Sequence, residues 1–167
     1  MLVSFLFVLL TVYGFGLFCP VPRAGLGVRL TFGWSTLVVL LSLGQALLGL
    51  PIRAWSFAVA GMALAGFAWG RKRLSLPEDR KNPAAVLIVL AAIVLAVGSD
   101  TYRPVAWDEL SNWMYVTRQA VIADRMFGPD LLYTAPGYTF GWSLLMAYPQ
   151  ALFSEFDAGR SFPPIVV

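Results

Sequence analysis

The fold is decided by residues 30–70, LTFGWSTLVVLLSLGQALLGLPIRAWSFAVAGMALAGFAWG, in which Arg53 is the single charged residue. Two apolar segments, 30–50 and 52–70, come close to the roughly 20 residues with which an α-helix spans the hydrocarbon core of a bilayer. They meet at Pro51, and a proline between two apolar segments favours a tight turn. The stretch therefore predicts a hairpin of two membrane helices.

The composition of the whole chain points to the same class of protein. Hydrophobic residues make up 59% of its 167 residues and charged residues 13%, whereas a soluble domain is about a quarter charged. Apolar runs recur along the chain, the last of them interrupted by Pro149. We predict an all-α, polytopic membrane helix bundle, a single domain over residues 1–167, with about five transmembrane helices: 2–18, 30–50, 52–70, 84–98 and 138–153.

The charged and metal-binding residues exclude several functions. The net charge of +3 comes from basic residues in short loops rather than from a basic stripe interleaved with aromatics, so no nucleic-acid partner is expected. Cys19 is the single cysteine and the chain has no histidine, which excludes an internal disulfide and argues against a zinc or haem site. Any metal would be a hard cation held by carboxylates.

Basic residues also predict the orientation of the helices. Residues 71–82 hold five arginines and lysines, and such loops face the cytoplasm. Alternate crossings then place Arg53 and the long loop 99–137 on the extracytoplasmic side and Arg160 inside. We expect the protein in a bacterial inner (plasma) membrane.

The third segment carries small residues four positions apart, a spacing that lets helix backbones approach closely in lipid. We interpret these pairs as helix-packing positions rather than a ligand site: Ala54/Ala58, Gly61/Ala65 and Gly66/Gly70.

The extracytoplasmic loop 99–137 contains a predicted amphipathic helix, 109–127, suited to lying in the membrane interface. On a helical wheel, polar and basic residues share one arc: Ser111, Asn112, Tyr115, Arg118, Gln119 and Arg125. Apolar residues dominate the other: Leu110, Trp113, Met114, Val116, Thr117, Ala120, Val121, Ala123 and Phe127.

Two adjacent acids, Asp108 and Glu109, stand where this helix begins, and they support two interpretations. Asp108 is placed to cap the helix by accepting a backbone N–H, with Glu109 as a first-turn acid favoured by the helix dipole. Spacing alone favours the cap, and the pair is also placed for chemistry at the membrane surface. The two roles are compatible, because a cap also orients a carboxylate.

The chain re-enters the membrane through a turn at Pro136-Gly137, flanked by Tyr133 and Tyr138. These aromatics are typical of an interfacial belt. The alternative, which the pattern favours less, is a wall against which a sugar ring or a lipid packs.

Together, a membrane helix, the motif Trp107-Asp108-Glu109, an amphipathic helix and Tyr-x-x-Pro-Gly-Tyr at 133–138 resemble the GT-C glycosyltransferases. The nearest in style are the bacterial ArnT-like and protein-mannosyltransferase-like enzymes, which use polyprenyl-phosphate sugars. The resemblance covers about residues 84–153. It implies transfer of a hexosyl or pentosyl group from a polyprenyl-phosphate-linked donor at the extracytoplasmic face.

The resemblance also assigns roles. Asp108 would be the catalytic carboxylate, acting as general base on the acceptor hydroxyl, with Glu109 as its partner. Alternatively, the pair would hold a divalent cation, Mg or Mn, against the leaving phosphate. Arg103, Arg118 and Arg125 are candidate phosphate contacts by charge alone, and the alternative that charge and position favour is that each anchors the loop in the membrane interface. Substrate-binding residues are expected to be Arg103, Arg118, Tyr133 and Tyr138.

Two departures limit the resemblance. The family places its acidic loop after the first membrane helix, whereas three further helices precede it here, and its members have many more helices. We therefore expect the chain to be the N-terminal portion of a larger enzyme. The alternative is a non-enzymatic polytopic protein, or a transporter or assembly fragment, whose acidic loop is a helix cap. Gln45 is the most polar residue inside the predicted helices, which disfavours transport.

Overall fold

The structure, a computed structural model, describes residues 2–21, 24–70, 90, 93–94, 114–127, 141–153 and 155–157. Every regular element in these residues is helical, which confirms the predicted all-α class. Within the described residues, the helices whose bounds are given are α1 (Leu2–Gly16), α2 (Leu26–Ala46), α3 (Ile52–Gly70), α4 (Met114–Ala123), α5 (Gly141–Ala147) and a short 3₁₀ helix (Tyr148–Leu152). Leu90, Ile93 and Val94, from the fourth predicted segment, are also helical.

Two helices, α2 with 21 residues and α3 with 19, are long and apolar enough to cross a membrane. In their most apolar stretches only 17% and 28% of residues are buried, and large apolar side chains such as Val39 and Leu64 are exposed. The core helix of a water-soluble protein is mostly buried, whereas α2 and α3 are mostly exposed. Helix α1 is apolar throughout but has 15 residues.

The turn between α2 and α3 agrees with the predicted hairpin. Helix α2 ends at Ala46, four residues earlier than expected, and Gly49 has a φ of +58°, a conformation that glycine adopts without strain. The Leu50 N–H donates to the Gly44 carbonyl at 3.1 Å. Pro51 then accepts the first intrahelical hydrogen bond of α3, from the Trp55 N–H at 2.9 Å. Proline therefore starts α3 where its missing N–H is not needed.

Helix α1 packs against α2 and α3 through glycines whose lack of a side chain lets backbones touch. A Cβ added at Gly33 would overlap the carbonyl oxygen of Val12, and one at Gly66 would overlap that of Gly14. A Cβ at Gly14 would lie 2.5 Å from the Ala63 carbonyl oxygen. We call this contact the glycine seam; it comprises Gly14, Gly16, Gly33 and Gly66.

The seam corrects the predicted packing face of α3. Gly66 and Gly70 are buried as expected, whereas the pairs Ala54/Ala58 and Gly61/Ala65 are exposed. An i, i+4 spacing drifts around the helix, because one turn holds about 3.6 residues. The buried side instead alternates steps of four and three: Ile52, Ser56, Val59, Ala63, Gly66 and Gly70.

Of the fifth predicted segment, 138–153, the structure describes residues 141–153. Seven α-helical and five 3₁₀ residues there, at about 1.5 and 2.0 Å each, extend over roughly 20 Å. Pro149 lacks the N–H that a continuing α-helix requires. The carboxyl end returns to the start of α3, where the Phe153 carbonyl accepts a hydrogen bond from Arg53 Nη2 at 2.9 Å.

This segment is anchored in the bundle by Tyr148. Its ring stacks on Phe7 with centroids 4.7 Å apart, and its hydroxyl lies 2.8 Å from Thr11 Oγ1. Tyr148 is fully buried. The described residues thus contain two membrane-length helices, with α1 and the α5 segment packed against them; a five-span bundle stays a prediction.

Candidate functional site

Of the six residues predicted to be catalytic or substrate-binding, the structure describes Arg118 alone; it also describes Arg125, the additional candidate phosphate contact. The other five lie outside the described residues: Arg103, Asp108, Glu109, Tyr133 and Tyr138. The site is therefore built here from Arg118 and the helix that carries it.

Helix α4 carries Arg118 on its exposed side and packs its other side against the bundle. Met114, Val116, Thr117 and Ala120 are buried, and the helix contacts α5 and α3. The predicted amphipathic character is present in this part of the predicted helix. The apolar face meets protein here, and its placement in a membrane interface stays a prediction.

The predicted helix 109–127 ends four residues early, at Ala123. Asp124 has a φ of +52°, its N–H donates to the Val121 carbonyl at 3.4 Å, and the Arg125 N–H donates to the Ala120 carbonyl at 3.1 Å. These two hydrogen bonds form a Schellman motif, which terminates an α-helix. The chain turns away, so Phe127, predicted on the apolar face, is exposed.

Asp124 also caps a second helix. Its carbonyl oxygen accepts the Ile52 N–H at 3.0 Å, and its Oδ1 accepts the Arg53 N–H at 2.7 Å. Both donors belong to the first turn of α3, which follows Pro51 and so has no capping side chain of its own. A carboxylate is favoured there by the helix dipole. We predicted that Asp108 caps the helix 109–127. The cap described here is made by another loop acid, Asp124, and it caps another helix, α3.

Two buried glutamines fasten the neighbouring segments. Gln45 accepts the Met126 N–H at 2.8 Å through Oε1 and donates through Nε2 to the Leu50 carbonyl. Gln150 donates to the Asp157 carbonyl at 2.6 Å and accepts the Asp157 N–H at 3.3 Å. With Arg53 and Asp124, these residues tie together three segments that are distant in sequence. We call this group the Asp124 junction: Gln45, Arg53, Asp124 and Gln150.

Beside the junction lies a cleft with a volume of about 470 Å³. We call it the charged cleft; its lining residues are Arg53, Arg118, Val121, Ile122, Asp124, Glu155 and Phe156. Two arginines and two acidic residues thus line one opening together with three apolar residues. Guanidinium groups bind phosphate and carboxylate oxygens, so the cleft has the chemistry of a binding site.

Sequence reasoning placed Arg53 and Arg118 on the same side of the membrane but did not bring them together. Arg53 had one signal, as the single charged residue of 30–70. Asp124 was an acid among others in the loop, and Glu155 had no signal. These residues meet only through contacts between distant segments, which local patterns do not encode.

In the part of the chain that the structure describes, no three His, Cys, Asp or Glu side chains come together to hold a metal ion. Asp108 and Glu109, the predicted metal ligands, lie outside it. Comparison of the chain with known protein families, characterised proteins and solved structures finds no match among them.

Proposed function

We propose that this chain is the N-terminal part of an integral-membrane glycosyltransferase of the bacterial inner membrane. It would transfer a sugar from a polyprenyl-phosphate-linked donor at the extracytoplasmic face. The proposal includes the five-segment bundle and the outward orientation of loop 99–137. The two membrane-length helices support its membrane part.

The observation that carries the proposal is the position of α4. This helix belongs to the long loop, and it is fixed by Asp124 to the end of the α2–α3 hairpin. Arg118 lines a cleft there together with Arg53. The end of a membrane helix is the level at which a lipid-linked substrate carries its head group, so a docked loop helix at this level favours chemistry on such a substrate.

The proposed chemistry needs a base, phosphate contacts and a binding wall. Asp108 would take the proton of the acceptor hydroxyl as its oxygen attacks the sugar's anomeric carbon, and the bond from that carbon to the polyprenyl phosphate would break. Arg103 and Arg118 would contact the leaving phosphate. Tyr133 and Tyr138 would pack against the sugar or the lipid.

A divalent cation, Mg or Mn, is an optional part of the proposal. Asp108 and Glu109 would hold it, and it would supply charge to stabilise the leaving phosphate.

A second candidate is a non-enzymatic polytopic membrane protein, or a transporter or assembly fragment, whose loop acids act as helix caps. One observation favours it. Asp124, an acid of this same loop region, caps α3 with both its carboxylate and its carbonyl oxygen.

The test compares sugar transfer by Asp108→Asn and the unaltered protein, both expressed at the native locus, in membranes supplied with a radiolabelled polyprenyl-phosphate sugar. We expect a loss of about 100-fold or more, the effect of removing a general base. Asp100→Asn, a matched change in the same loop, should retain transfer. Full activity in Asp108→Asn would refute its catalytic role, and no transfer by the unaltered protein would favour the non-enzymatic candidate.

A further inference from the structure

We propose that the charged cleft binds the head group of a membrane phospholipid that carries both a phosphate and a primary ammonium group. This lipid differs chemically from the proposed sugar donor, and the two would compete for Arg118. The inference stands whether or not the chain transfers sugars.

The charged residues that line the cleft indicate the chemical class of the ligand. Arg53 and Arg118 contribute two positive groups, and Asp124 and Glu155 two negative ones. A purely anionic ligand would meet two arginines but would also face two carboxylates that repel it. A zwitterionic head group satisfies both sets, because its phosphate pairs with guanidinium and its ammonium donates to carboxylate oxygens.

One of the two arginines, Arg53, is held in place by hydrogen bonds. Arg53 Nη2 donates to the Phe153 carbonyl at 2.9 Å, and its backbone N–H is bound by Asp124 Oδ1. A guanidinium group has five N–H donors, so others remain for a ligand. Asp124 Oδ1 accepts the Arg53 N–H, yet a carboxylate offers about four acceptor positions.

The surroundings of the cleft indicate a lipid rather than a water-soluble molecule. The cleft opens beside the first turn of α3, which is one of the two membrane-length apolar helices. Val121, Ile122 and Phe156 form its apolar walls. At the same end of the hairpin, the turn residues Leu47 and Leu48 are 74% and 62% exposed. Such apolar exposure is favourable where acyl chains begin.

A primary ammonium group is favoured over a quaternary one by the type of acceptor. Carboxylates recognise an ammonium group through N–H donors, whereas quaternary ammonium groups are recognised by aromatic faces. Phe156 is the one aromatic side chain among the described lining residues. The cleft should therefore select ethanolamine over choline head groups.

The experiment measures lipid retention by native mass spectrometry. The full chain, in a non-ionic maltoside detergent, is mixed with equal amounts of dioleoyl phosphatidylethanolamine, phosphatidylcholine and phosphatidylglycerol. We expect phosphatidylethanolamine to be retained most. Arg118→Gln should lower its retention about tenfold, the scale of one lost charge-assisted contact. Arg29→Gln, an equal change of charge at the opposite end of α2 from the cleft, should leave retention unchanged.

Further arms separate the other occupants. Glu155→Gln should reduce retention of phosphatidylethanolamine without reducing that of phosphatidylglycerol. The proposal is overturned if phosphatidylglycerol binds best, if phosphatidylcholine binds equally to phosphatidylethanolamine, or if Arg118→Gln and Arg29→Gln behave alike. Water-soluble phosphoethanolamine at the lipid's concentration should not displace it; complete displacement would identify a soluble ligand and overturn the lipid assignment.

Discussion

The glycine seam and the Asp124 junction hold the same bundle together by opposite means. In the seam, backbones of α1, α2 and α3 touch because no side chain separates them. In the junction, side chains of Gln45 and Asp124 satisfy backbone groups of segments far away in sequence, and Gln150 satisfies those of the nearby Asp157. The seam depends on shape and tolerates no added atom, whereas the junction depends on hydrogen bonds and tolerates some exchange of polar groups.

This difference determines which of the two regions has space for a ligand. A seam of touching backbones leaves no space for a ligand. The junction joins segments by hydrogen bonds at one end of the bundle, and the charged cleft with Arg118 lies beside it. Substitutions that act on one region and spare the other test the contrast.

The largest effect is expected from Gly33→Ala. The added methyl group would overlap the Val12 carbonyl, a backbone atom that moves only if α1 and α2 separate. We expect a loss of about 3 kcal/mol in the free energy of unfolding, the upper range for overpacking. Denaturation in mixed micelles of dodecyl sulfate and maltoside, followed by circular dichroism, measures it.

Gly61→Ala is the matched control for this change, because a Cβ at Gly61 meets nothing within 4 Å. It should stabilise α3 by up to about 1 kcal/mol through the higher helix propensity of alanine. Equal effects of the two substitutions would mean that the seam does not limit the approach of the helices.

A middle-sized effect is expected at the junction, from Asp124→Ala. The substitution removes the acceptor of the Arg53 N–H and puts alanine at a positive φ. We expect a loss of about 2 kcal/mol, measured by the same denaturation.

Asp124→Asn distinguishes the contribution of the capping hydrogen bond from that of the carboxylate charge. Asparagine keeps a side-chain oxygen acceptor and tolerates the left-handed conformation, so it should lose less than about 1 kcal/mol. If alanine and asparagine destabilise equally, the hydrogen bond from Arg53 contributes nothing and the contrast between the regions fails.

The smallest effects compare two buried hydroxyls, Thr11 and Ser56. Thr11 Oγ1 bonds the Phe7 carbonyl at 2.8 Å and the Tyr148 hydroxyl at 2.8 Å, so Thr11→Val should cost about 1 kcal/mol. Ser56 Oγ is buried with no partner within the described residues. Ser56→Ala should therefore be neutral or slightly stabilising, and a loss like that of Thr11→Val would reveal an unseen partner.

The sequence was informative where local patterns determine structure. Apolar segments and Pro51 predicted the hairpin, because helix length and proline chemistry are local properties. The amphipathic spacing around Arg118 predicted α4, although its end depends on Asp124 adopting a positive φ, which favours glycine and gives little sequence signal. The junction was missed because Gln45 and Met126, 81 residues apart, are joined by a hydrogen bond that no periodicity encodes.

The catalytic prediction for Asp108 and Glu109 lies outside the described residues and stays a prediction. What the structure contributes is a precedent for the other interpretation, since Asp124 caps a helix. It also places Arg118, chosen from charge and position alone, in a cleft with Arg53.

The cap on α3 has a consequence for biogenesis. Asp124 follows Arg53 by 71 residues, and a ribosome adding about 5–20 residues per second needs roughly 4–14 seconds to cover that distance. During this interval the hairpin has emerged, yet the first amide groups of α3 lack their acceptor. Until α4 is made, these N–H groups would donate hydrogen bonds to water. The amide hydrogens at the start of α3 should therefore exchange with solvent in nascent chains that stop before Asp124.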